Sequence, residues 1–167
     1  MNSTLKRITL FLGLLIFGCG GNETQKEEKG SVKLKKQNTE VKTPDKPNVL
    51  ASATIDLKNK GVGPVKSLVL PAEIDQEMVT QGKDVFTKMC TACHREDKKF
   101  IGPPPTGITE RRTPEWIMNM ILDPEGMTRN DPLARALLIE FNGSPMANQG
   151  LTEEDARAVL EYFRTLK

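Results

Sequence analysis

Histidine is almost missing from this chain: of 167 residues only His94 carries an imidazole. Cysteine is nearly as scarce, with Cys19, Cys90 and Cys93 the full set. A closed zinc site takes four ligands, and one His beside two Cys falls short of it, because Cys19 stands far upstream. Long apolar runs are missing too. Residues 8–17 form the only extended one, and ten residues are half of the roughly 20 a spanning helix requires. The C-terminal part lacks any excess of positive charge. Residues 72–167 hold 12 Lys+Arg against 16 Asp+Glu, whereas residues 1–71 hold 12 against 6. An acidic half argues against a nucleic-acid partner and suits a protein partner with a basic docking patch. The overall hydrophobic share of 37% averages two unlike halves and describes neither.

What chemistry the chain has is concentrated in Cys90-Thr91-Ala92-Cys93-His94. Cys-x-x-Cys-His is the attachment signature of a c-type haem. Two thiols must reach the two vinyl groups of one porphyrin, and the next side chain must reach its iron. A short helical turn meets both demands. The competing reading is a thioredoxin-like pair, but that sits after a strand in a βαβ unit and needs no following His. No βαβ pattern surrounds Cys90. A small domain buries a limited core, and the apolar face of a haem would add to it.

In chain order, residues 1–18 read as a lipoprotein signal peptide, with Lys6 and Arg7 ahead of the short apolar run. Ile16-Phe17-Gly18-Cys19 resembles the bacterial lipobox, which implies that Cys19 is lipidated and becomes the mature N-terminus; a plain cleaved signal with an incidental Cys is the alternative. Several acyl chains on one terminus give stable anchoring. Residues 19–47, dominated by Gly, Lys, Glu, Gln, Thr and Ser, cannot bury enough surface to fold and form a flexible linker. Residues 48–74 alternate apolar pieces with the turn signal Lys60-Gly61-Val62-Gly63-Pro64. They read as an extended arm laid against the domain, with a short hairpin as one form it could take.

Residues 75–167 carry the helical patterns. Asp75-Gln76-Glu77 opens a helix with an apolar face of Met78, Val79, Gly82, Val85, Phe86 and Met89, running straight into Cys90. Gly82 in mid-helix costs about 1 kcal/mol against Ala, which a close helix crossing would justify. After the charged stretch 95–99, Gly102-Pro103-Pro104-Pro105 excludes helix and central strand. Thr113-Pro114 and Asp131-Pro132 each start a helix. Pro124 stops the first of these and Gly143 the second. Thr152 with Asp155 opens the last through a capping box. The expected fold is all-α, about four helices around one covalently bound haem.

With these residues in view, the stretch from 75 to 167 resembles a class I monohaem cytochrome c. Gly82 and Phe86 match the family's first helix, and Tyr162 the aromatic of the last helix that it crosses. Gly102-Pro103 matches the Gly-Pro pair whose Pro carbonyl accepts the second N–H of the ligand His. That contact would hold the ring's tautomer. The resemblance implies a haem held by Cys90 and Cys93, with His94 as one axial ligand. No second His exists, so the other ligand falls among the seven Met. The family places it in the loop before the last helix, which maps to Met146; Met127, in the short stretch after Pro124, is the alternative. Met118 and Met120 read as core filler. Thioether ligation raises the potential relative to two nitrogen ligands.

The function implied is a monomeric, membrane-tethered electron carrier on the periplasmic side of the cell membrane or on the outer membrane. It would take electrons from a donor complex and pass them to a terminal reductase or oxidase. The run 113–149, with Pro-Glu-Trp, Asn-Asp-Pro-Leu-Ala and Pro-Met-Ala-Asn, is similar to haem domains associated with some nitrous-oxide reductases. The alternative is a haem enzyme or gas sensor with an open iron position.

Overall fold

The computed structural model describes residues 49–167. The expected signal peptide (1–18), the lipidated Cys19 and the linker (19–47) lie outside the described residues. Among those described there are six helices and no strand: α1 (Gln76–Met89), α2 (Ile108–Arg111), α3 (Pro114–Leu122), α4 (Pro124–Asn130), α5 (Pro132–Glu140) and α6 (Glu153–Phe163).

One local device starts three of them. Thr113, Asp123 and Asp131 each accept a backbone N–H of the first turn, from Trp116, Gly126 and Ala134, while a proline holds the first helical position. The cap satisfies an orphan donor, and proline has no N–H to leave unpaired there. Asp75 caps α1, and the reciprocal Thr152–Asp155 box caps α6. The first departure from expectation follows from the same chemistry. Pro124 does end α3, yet Asp123-Pro124 is also a start signal, so residues read as loop form α4. Met127 therefore sits on a helix and is 0% exposed.

α1 and α6 make the central crossing. Gly82 is buried there, and a Cβ on it would overlap the carbonyl of Ala158. Phe86 packs between Tyr162 and Phe163, with ring centroids 5.7 and 5.6 Å away. Met89, expected on the buried face, is the last residue of α1 and is 37% exposed.

Glu161, 0% exposed, ties this crossing together. Its carboxylate accepts the Asp75 N–H at 2.9 Å, Arg157 at 2.5 Å and Arg164 at 2.6 Å. Burial opposes its charge, but the bonds from Arg164, the Asp75 amide and Arg157 outweigh it and hold the carboxyl below the usual range. A depressed carboxyl contributes stability above its unfolded pKa, about 4.3, and loses it as pH falls through the folded value. Glu161→Gln should cost about 2 kcal/mol at pH 7. In denaturant melts, the gap to the parent should shrink steadily below pH 4; a gap independent of pH would refute the assignment.

The arm preceding α1 is no hairpin. Its one backbone bridge is parallel, Asp56 to Arg112. Side chains do the rest. Asn119 accepts the Val65 N–H at 2.9 Å and donates to the carbonyls of Val65 and Lys60, standing in for a strand partner. Asn59 donates to Asp131 at 2.6 Å. Gly61, with φ +69°, packs on Met127 and Trp116, and the Val62 N–H donates to the Met127 sulfur at 3.0 Å.

Candidate cofactor site

The Cys90–His94 segment leaves α1 as a tight turn. The Cys90 N–H still bonds Phe86, and the amides of Cys93 and His94 both donate to the Cys90 carbonyl, at 3.1 and 2.9 Å. The Cys90 thiol is partly buried and the Cys93 thiol exposed, and they are not joined. Burial first, and the neighbouring Cys93 second, push the Cys90 thiol up to about 11. A redox or nucleophilic cysteine needs its pKa lowered to expose thiolate. The pair is therefore not tuned for thiol exchange.

His94 is fixed by the loop that follows it. Its Nδ1 lies 2.8 Å from the carbonyl of Pro103. A carbonyl only accepts, so Nδ1 carries the proton and the Nε2 lone pair is left for a metal. Gly102 makes this approach possible: a Cβ there would stand 2.5 Å from the ring's Cε1. The loop itself is pinned. The Gly102 N–H donates to Cys93 at 2.9 Å, and Thr106 bonds the Glu96 carbonyl through both N–H and hydroxyl. The Tyr162 hydroxyl donates to the Glu96 carboxylate at 2.5 Å, which joins the loop to α6. Burial, then that bond, hold the Tyr162 phenol above its ordinary range.

Cys90, Cys93, His94 and Met146 all line one cleft, which encloses about 1130 Å³ of free space, part of it open to solvent. Its walls are apolar: Trp116, Ile117 and Ile121 from α3, Leu137 and Leu138 from α5, with Phe141 just beyond. Met146 is the only residue of 144–150 that is half-buried; the others are exposed. That loop lies between Gly143 at φ +71° and Gly150 at φ +65°, and Asn148 fastens it to the Leu122 carbonyl at 3.2 Å. Met127 is not brought to the cleft; its sulfur is already engaged by the Val62 amide. Pro103 serves as the His94 partner and also lines the cleft.

The donor set and the walls fit a covalently attached haem c. Two thiols and an imidazole with a free Nε2 stand at one apolar cleft of flat-ligand size, and a thioether stands at the same cleft. Among the described residues no group of three or more His, Cys, Asp and Glu could hold a metal ion by itself. No Asp or Glu lines the cleft, although the domain is acidic; its ionic side chains are Arg111 and Arg112. Sequence reasoning missed these two arginines, together with Met120 and Ser52, which also line it. The arginines were discoverable as a basic pair just before the Thr113 cap. Nothing in the sequence marks Ser52.

Comparison with known proteins agrees with this geometry. The family model described as cytochrome c matches residues 79–167. A solved cytochrome c from Rhodothermus marinus is 42% identical, over 70% of this chain and 93% of that one, with TM-score 0.61. An engineered cytochrome c from the same organism, bound to a carbene intermediate, is 41% identical over 70% of this chain and 94% of that one, with TM-score 0.58. No curated protein sequence matches significantly. The solved structures match more of the chain than the family model does.

Proposed function

The chain belongs to the cytochrome c family and binds haem c covalently, and from that premise we propose that it is a membrane-tethered carrier of single electrons. Cys90 and Cys93 would make the thioether links, and His94 Nε2 and the Met146 sulfur would hold the iron. When bound, the haem contributes a one-electron iron couple. The residues around it do the rest. Pro103 holds the imidazole in one tautomer and orientation, which spares reorganisation when charge changes. Trp116, Ile117, Leu137 and Leu138 keep water from one face of the cleft. With its sulfur on the iron, Met146 would leave no place there for outside ligands, as a carrier requires and an enzyme or gas sensor does not. Lipid on Cys19 and the linker 19–47 would keep the domain at the membrane on the periplasmic side. The partners are a donor complex and a terminal reductase, nitrous-oxide reductase among them, or a terminal oxidase.

The observation that carries this reading is the His94–Pro103 contact at 2.8 Å in the same cleft as Met146. The test is made on full-length protein from cells that assemble c-type cytochromes. Oxidised protein should show a weak sulfur-to-iron charge-transfer band. Reduced protein should not change colour with carbon monoxide, and it should partition with membranes unless Cys19 is changed to Ser. Rapid carbon monoxide binding would overturn the carrier reading, and a soluble parent protein would overturn the anchor.

A further inference from the structure

The arm enters the domain inside out. Its inward groups are polar or small. Ser52 holds Glu140 through its N–H at 2.9 Å and its hydroxyl. The Asp56 N–H reaches the Arg111 carbonyl at 2.9 Å, and Asn59 donates to Asp131. Of residues 49–60 only Ala51 is buried. The outward groups are the large apolar ones: Val49, Leu50, Ile55 and Leu57 are each between 56% and 69% exposed. Two hydrogen-bonded turns fold this stretch into a short span. Ala53 and Thr54 donate to the Leu50 carbonyl, and Lys58 and Asn59 to the Asp56 carboxylate. Ile139, 72% exposed, stands next to Glu140, the partner of Ser52. Single exposed apolar residues are ordinary on a protein surface; several gathered on one span mark an interaction site.

Position and charge point to what covers this face. Val49 comes two residues after the linker 19–47, so a membrane tether enters the domain here. The turn precedes residues 79–167, which the family model matches, and is an addition to that domain. The cations beside it are Lys58 on the turn and Arg135, one helical turn before Ile139 on α5. Both are exposed, and among the described residues neither pairs a carboxylate; Arg135 donates to the carbonyls of Thr128 and Arg129. The acids at hand are occupied, Asp56 by two amides and Glu140 by Ser52. Apolar side chains flanked by cations suit the headgroup layer of an anionic bilayer. We propose that the outer face of residues 49–57, with Ile139, seats the domain on an anionic lipid surface. This rests on the tethered reading and deepens it: lipid on Cys19 keeps the domain near the membrane, and the arm gives it an orientation. Ser52, in the same turn, lines the cofactor cleft. Seating therefore holds one edge of the cleft at the bilayer, where membrane-bound partners collect.

The experiment uses the haem-loaded chain from residue 20 onward, exported behind a signal peptide that leaves no lipid, so that binding reports the face and not the anchor. It is sedimented with vesicles of phosphatidylcholine alone, or with about one third phosphatidylglycerol, and bound haem absorbance is read. The parent should bind the anionic vesicles and leave the neutral ones. Ile55→Ser with Leu57→Ser should weaken binding about tenfold or more, since two apolar side chains no longer leave water. Lys58→Gln and Arg135→Gln should each weaken it about fivefold. All four side chains are exposed, so melting temperatures and optical spectra should stay at the parent values. A parent that ignores anionic vesicles would overturn the proposal. So would concentration-dependent dimers that the Ile55 and Leu57 changes abolish, which would make a second copy the occupant. The anchor fails separately: a full-length parent found soluble in cell fractions, while residues 20–167 still bind vesicles, would remove the lipid and leave the face standing.

Discussion

Met146→Ala should leave the protein coloured but open its iron to carbon monoxide. The haem stays because Cys90 and Cys93 hold it covalently and His94 keeps its Pro103 contact, none of which involves the loop at residues 144–150. What changes is the sixth position. The charge-transfer band should vanish, reduced protein should bind carbon monoxide, and the potential should fall by on the order of 0.1 V or more, within the roughly 0.8 V that axial ligands span. Two controls sharpen the assignment. Met127→Leu should leave the spectrum alone, since that sulfur is buried at 0% exposure and accepts the Val62 amide. Met120→Leu matters more, because Met120 shares the cleft. It projects from α3 beside the apolar wall and should alter packing and not ligation. If Met120→Leu removed the band while Met146→Ala kept it, the ligand would have to be reassigned.

Gly82→Ala should be the most damaging change outside the cofactor residues, although alanine is the better helix former by about 1 kcal/mol. The added Cβ would overlap the Ala158 carbonyl and press on the Val159 nitrogen. Both are backbone atoms of α6, so no rotamer change relieves the overlap and the two helices must separate. Separation loosens the contact of Phe86 with Tyr162 and Phe163 and moves the turn that presents Cys90. Overpacking of this kind costs about 3 kcal/mol, which for a domain of this size lowers the melting temperature by about 10 °C or more. Haem incorporation should fall with it. A variant melting at or above the parent temperature would show that the crossing has slack.

Why some of this was readable in advance is clearest at single residues. The Cys90–His94 turn, the Pro103 partner and the helix starts at Thr113, Asp131 and Thr152 are local chemistry. A cap and its amide lie within three residues, and a haem motif within five, so spacing along the chain is nearly spacing in space. Gly82 was readable as a crossing because glycine in a helix is unfavourable without one. Met127 was misplaced for an equally local reason: Asp123-Pro124 both ends one helix and begins another, and only the stop was recognised.

By itself, then, the sequence determined the helical class, the cofactor chemistry and the contact between His94 and the Gly-Pro loop, because each depends on neighbours a few positions apart. Only the tertiary structure decided what the arm does. Its turn, bridge and side-chain latches join residues about 50 to 90 positions apart: Ser52 to Glu140, Ala51 to Arg112 and Asn59 to Asp131. No periodicity marks such contacts, since they use one carbonyl or one amide at a time. The same holds for the charge in the cleft, where an acidic domain presents two arginines and no acid. Net charge is a sum over the chain, and the field at a site depends on which few groups folding brings there and which it ties up elsewhere.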